Sequence, residues 1–300
     1  MLDKALELLS ARWLIHRDTA LSYLPLFIAA LNGGEKLAGF LNDAGSQLKQ
    51  DERSKSKVVG FRAGACGETV QYDFDDSSIP DNSIAIIPIS GVILPWRSMI
   101  IEEQIRRASE NDKIIAILFP TNSPGGTVFY VDILAKTIKD CKKPTVAVIM
   151  NMAASAAMWL TSAMNYRIST SPMDSIGSIG VFTSFTDMQV LLKEKLGISI
   201  VDIYATKSTR KNEMTRQLLE AGNKKPIVDD LDFVNDIFHK AIQENMGIKA
   251  DSEVFDGAIY NAQDAITQGL IHEINSLDYA IEYAYTAGLT TKINQYKSLI

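Results

Sequence analysis

The sequence predicts an α/β protein built on a largely parallel sheet. Three observations point there. From Ser83 onward, short apolar runs rich in Ile and Val alternate with stretches of helical spacing. Two of those runs end in small-residue or glycine loops, at Asn122–Gly126 and at Met152–Ser155. Apolar residues make up 46% of the 300-residue chain, enough for a sizeable core. Alternating strands and helices of this kind build right-handed βα units, whose ligands bind at the carboxyl ends of the strands.

The elements follow in order. Residues 1–50 read as an N-terminal helical extension, with Leu2, Ala5, Leu8 and Leu9 on one face, followed by Trp13 and Leu14. Gly33 and Gly34 divide it from a second helical stretch. Residues 51–82 are polar and rich in Asp and Ser, and read as a linker with short strands. The main domain is expected over 83–275, and a C-terminal helix over 276–300. Within the main domain, strands are expected at 83–89, 113–119, 144–150, 166–170 and 199–204. Helices are expected at 99–110, 127–140, 152–164, 185–195 and 226–246.

Composition excludes several functions. A net charge of −6 and a pI near 5.2 argue against a nucleic-acid partner, which calls for a basic face. The two cysteines, Cys66 and Cys141, lack the paired spacing of a metal site and read as reduced thiols. The apolar stretch 20–31 is too short to span a bilayer and contains Pro25. The N-terminus lacks a secretory pattern, so the expected location is the cytoplasm.

The chemistry centres on Ser155, in Asn151-Met-Ala-Ala-Ser155-Ala-Ala-Met-Trp-Leu160. It follows the strand-like run 145–150, and small neighbours admit a substrate to its hydroxyl. The glycines of Thr121-Asn-Ser-Pro-Gly125-Gly126 can turn backbone N–H groups toward a developing oxyanion. A serine needs a base. His16, His239 and His272 have no triad-like setting. Lys207 and Lys211, in Ala205-Thr-Lys-Ser-Thr-Arg-Lys211, follow the expected strand 199–204 and could reach the same rim. Burial would have to lower the lysine pKa; otherwise both are solvated loop lysines. Ser175-Ile-Gly-Ser178-Ile-Gly180 offers a tight turn with hydroxyls beside the site.

Together these segments resemble the signal peptide peptidase A family of serine–lysine peptidases, which includes phage prohead proteases. The resemblance covers roughly residues 83–275. It rests on Asn122-Ser-Pro-Gly-Gly126, Met152-Ala-Ala-Ser155, Gly177-Ser-Ile-Gly-Val181, Lys195-Leu-Gly-Ile-Ser199 and the closing pattern Asp256-Gly-Ala-Ile-Tyr260, Ala265, Gly269-Leu-Ile-His-Glu273. Five motifs in the same order are specific where each alone is weak. The resemblance implies a crotonase-like (ClpP/crotonase) spiral of βαβ units, usually oligomeric, and proteolysis without ATP, metal or organic cofactor.

It also implies roles. Ser155 is the nucleophile and Lys211 the base, with Lys207 the second choice. Gly125, Gly126, Ala156 and Ser178 surround the oxyanion and substrate. Two departures stand out: Ala156-Ala157 replace a pair of glycines, and Ser208 replaces a glycine three residues before Lys211. With no transmembrane anchor, the chain is similar to the soluble phage- or prophage-type branch. That implies a protein or peptide substrate, such as a capsid or scaffold precursor, and a location in host cytoplasm or prohead. Two alternatives stand beside this. A crotonase-type coenzyme A enzyme would use carboxylates, for which Asp174 is the nearby acid. A catalytically inactive assembly scaffold would keep the fold alone.

Overall fold

The computed structural model describes residues 13–15, 56–61, 69–184 and 201–298. The expected helix 185–195, most of the N-terminal extension, His16 and Cys66 lie outside them.

Two strands form the centre: β6 (Ile114–Ser123) and β8 (Thr145–Ala154), parallel neighbours. Both are apolar almost without a break because layers cover both sheet faces. Ile117, Phe119, Ala147 and Ile149 point into one layer. Ala116, Leu118, Val146 and Val148 point into the other, as the period of two demands. The sheet runs β11-β10-β8-β6-β4-β2-β3, where β4 is Ser83–Ile86, β10 is Ser175–Gly177 and β11 is Ile259–Asn261. β4, β6, β8 and β10 are mutually parallel. β2 (Lys57–Phe61) and β3 (Thr69–Tyr72), within the expected linker, extend the sheet antiparallel beyond β4.

The first layer holds α1 (Pro95–Glu110), α2 (Val131–Lys139), α3 (Ala156–Ser162) and α5 (Lys225–Met246). The short α4 (Glu213–Ala221) precedes α5 and buries no residue. Proline opens both α1 and α5, where a missing N–H costs nothing. α5 buries Val234, Phe238 and Ile242, one stripe at four-residue spacing, and Phe238 stacks on Trp159 of α3 at 4.9 Å. After α6 (Ala262–Thr267), the long α7 (Leu277–Lys297) forms the second layer. Ala280, Ala284 and Gly288 recur every fourth residue on its buried side. A side chain at Gly288 would come within 2.8 Å of the Ile115 carbonyl oxygen, so this helix lies close on β6. No helix among the described residues is long and apolar enough to cross a membrane.

Two sequence expectations fail. Residues 201–204 form no strand. Val201 and Ile203 are 76% and 90% exposed, so the alternating apolar pattern meets no partner among the described residues. The helical reading also fails at Trp13–Ile15, which is a strand, β1.

Candidate active site

β8 forks. Its residues 146–149 pair with β9 (Tyr166–Ser169), and its residues 152–154 pair with β10 instead. Between the two pairings the register against β6 slips: Thr121 faces Ile149, yet Ser123 faces Ala153. The surplus residues bulge at Asn151, whose φ is +88°. Asp174 pins the fork. Its buried carboxylate accepts from Asn151 N at 2.8 Å and Ser169 Oγ at 2.6 Å. It also accepts from the backbone N–H groups of Thr170 and Ser171, each at 3.1 Å. Sequence reasoning saw Asp174 only as a spare acid; no local pattern marks its bracing role. Both oxygens are taken up by structural donors, which weighs against the carboxylate chemistry of a coenzyme A enzyme.

The strand ends at Ser155, which turns the chain directly into α3. Ser155 has φ 55° and ψ −117°, a strained conformation for a residue with a Cβ, costing about 1–3 kcal/mol. The turn is held by Ser155 N–H donating to Gly177 O at 2.8 Å and by Trp159 N–H donating to Ser155 O at 3.0 Å. The residue is 1% exposed, and among the described residues its Oγ reaches only the Gly180 carbonyl, at 3.5 Å. The hydroxyl is thus desolvated and weakly engaged. Every residue of α3 is buried, which is why Ala156 and Ala157 must be small. Ala156 opens the helix, so its N–H has no intrahelical acceptor.

The glycine loop forms β7 (Gly125–Thr127), packed against α3. The two glycines are needed for different reasons. Gly125 has φ +98°. At Gly126 a Cβ would stand 1.8 Å from the Ile93 carbonyl oxygen. Ile93 N–H donates to Gly125 O at 2.8 Å, and Thr127 N–H donates to Ile93 O at 3.0 Å. Gly125 N–H donates to Ser123 Oγ at 3.2 Å. The backbone of Ile93, a residue absent from the sequence reading, therefore cradles the loop. Ser178, at φ 52°, sits just past β10 with its N–H on Ala258 O at 2.7 Å.

The lysines lie elsewhere in character. Lys207 and Lys211 are both exposed, on a segment without regular structure that ends at Asn212 with φ 54°. Among the described residues neither bonds the Ser155 hydroxyl. The two described histidines, His239 and His272, differ. His272 Nδ1 accepts from Arg167 N–H at 3.1 Å, its ring stacks on Tyr166 at 4.2 Å, and burial holds its pKa down. It lines a polar cleft of about 420 Å³ at the far end of α3 from Ser155. His239 packs on Phe255, its buried Nε2 has no hydrogen-bond partner among the described residues, and burial holds its pKa down. Cys141 is a free thiol.

A strained, buried serine at a strand-to-helix turn and a two-glycine strand packed against the helix that follows it are parts that an acyl-transfer site needs. The comparisons give that class a family. The profile of Peptidase family S49 matches residues 137–289, and this chain belongs to that family. Protease 4 of Haemophilus influenzae is 25% identical over 272 residues, 82% of this chain and 42% of that protein. The chloroplastic serine protease SPPA of Arabidopsis thaliana is 27% identical over 218 residues, 68% of this chain and 32% of that one. The head-tail preconnector protein GP5 of Enterobacteria phage P21 is 26% identical over 220 residues, 69% and 43% of the two chains. The matches span less than half the length of each of these three relatives.

Proposed function

We propose that this chain is a serine endopeptidase acting through an acyl-enzyme on a crotonase-like fold. The observation that carries this reading is the strained Ser155 turn, with its weakly bonded hydroxyl beside the Gly125-Gly126 loop. Ser155 Oγ attacks a peptide carbonyl while a lysine, Lys211 before Lys207, takes its proton. The Gly126 and Ala156 N–H groups face the developing oxyanion, with Gly125 and Ser178 shaping the approach. The lysine passes its proton to the leaving amine, and water then hydrolyses the ester.

A lysine serves as a base only when stripped of water. Both candidates are exposed in the isolated chain. A second copy or a bound substrate must therefore cover the segment around 201–211, and the exposed Val201 and Ile203 there favour a homo-oligomer. The phage relative is named a head-tail preconnector protein, which supports a capsid or scaffold precursor as substrate and a phage-type setting in host cytoplasm or prohead. The test is labelling with a fluorophosphonate and hydrolysis of a peptide library, with and without Ser155→Ala. Labelling or hydrolysis that survives in Ser155→Ala would sink this reading.

A further inference from the structure

Among the described residues the strand β1 (Trp13–Ile15) stands apart from the main sheet and pairs only with β7, forming a two-stranded ribbon across more than a hundred residues of sequence. It runs antiparallel, with Ile15 opposite Gly125, Leu14 opposite Gly126 and Trp13 opposite Thr127. The backbone of β7 fixes what faces this strand. Gly125 O and Thr127 N–H are both directed at Ile93. Along an extended strand the polar groups alternate sides, so the Gly126 N–H and C=O point the other way, to the edge where Leu14 stands. That N–H is the one the peptidase reading assigns to the oxyanion. An extended peptide recognised here would add itself to the same edge by main-chain hydrogen bonds. The chain's own segment already holds that place, with the backbone of Leu14 where a substrate residue would lie.

We propose that Trp13–Ile15 is an internal inhibitory strand. It occupies the substrate edge of β7 and must leave before a peptide can bind. The proposal rests on the peptidase reading for the identity of the site, but the strand's placement stands on the pairing alone. In the full-length chain, Leu14→Pro removes the N–H opposite Gly126 and disfavours the extended pairing. Fluorophosphonate labelling of Ser155 should then speed up roughly tenfold, the factor expected if the strand is docked in about nine-tenths of molecules. Amide exchange in the peptide containing Gly126 should quicken in the same variant. Adding a synthetic peptide of residues 10–19 should slow its labelling again.

A second variant guards against misfolding. Trp13→Cys with Thr127→Cys places two thiols on a directly opposed pair, where a disulfide can close. Its oxidised form should not label, and dithiothreitol should restore labelling. Equal labelling of the oxidised and reduced forms, or of Leu14→Pro and the parent, overturns the inhibitory strand and leaves the peptidase intact. If Ser155 labels in none of these proteins, both the peptidase reading and the inhibitory role fall. Unchanged exchange at Gly126 in a folded Leu14→Pro overturns the docking itself.

Discussion

The serine turn and the lysine segment are built in opposite ways. Ser155 sits where β8 ends, buried, backbone-strained, and braced by Gly177 on one side and by the Asp174-pinned fork below. Lys207 and Lys211 sit on an exposed loop with two large apolar side chains in solvent just before it. The first half of the site is preorganised by the sheet and needs no partner. The second half has no packing of its own among the described residues. Strain persists only where surrounding structure over-determines it, and a dry lysine needs a cover. Catalysis on this plan would be gated by whatever completes the lysine half.

The largest expected effect falls on the preorganised half. Ser155→Ala should lower turnover roughly 10⁶-fold, the cost of losing a nucleophile. Its urea midpoint should stay near the parent's, since only a hydroxyl held by one 3.5 Å contact is lost. Near-parental hydrolysis would remove the serine from the mechanism.

The lysine half should answer more selectively. Lys211→Ala should cost roughly 10²–10⁴-fold in kcat/KM, as for a positioned base, while Lys207→Ala keeps substantial activity. The reverse pattern moves the role to Lys207. Two active single variants would end the contrast, because no lysine would then be needed. His239, whose buried Nε2 has no hydrogen-bond partner among the described residues, is the next candidate in that case.

Gly126→Ala tests the loop between the halves. Its new Cβ would collide with the Ile93 carbonyl, so β7 must shift. Activity should fall roughly 10²–10³-fold through the displaced oxyanion amide. Steady-state kinetics should show the loss in kcat. A parental kcat would mean the amide plays no part.

Asp174→Ala sharpens the contrast in stability. It strips an acceptor from four donors, three of them backbone N–H groups, and should cost roughly 3 kcal/mol or more in urea unfolding. A loss under about 1 kcal/mol would show that the fork does not depend on that carboxylate.

The smallest effect is on pH. Burial lowers the pKa values of His239 and His272 below 6.5 in the folded protein. The unfolded chain therefore takes up protons first as pH falls. Stability is full above about pH 6.5 and declines as pH drops through the lowered folded values. Thermal midpoints at pH 7.5 and 5.5 should differ less in His239→Gln and His272→Gln than in the parent. Equal slopes would place the decline on carboxylates instead.

The sequence alone set out the centre of this molecule. The apolar runs of β6 and β8, the stripe of α5 and the placement of Ser155 and the glycine loop at strand ends are local patterns. Each survives tertiary assembly because burial on both faces or on one stripe leaves little choice. Pairing was decided only in three dimensions. Residues 201–204 have a strand's composition but no sheet partner among the described residues, while Trp13–Ile15 has a helix's spacing yet lies along β7. Asp174 becomes a brace only because a fork in β8 brings Asn151 to it, and Gly126 is required only because Ile93 passes so close. Strand identity, forks and close approaches depend on residues far apart in the chain, and no local period encodes them.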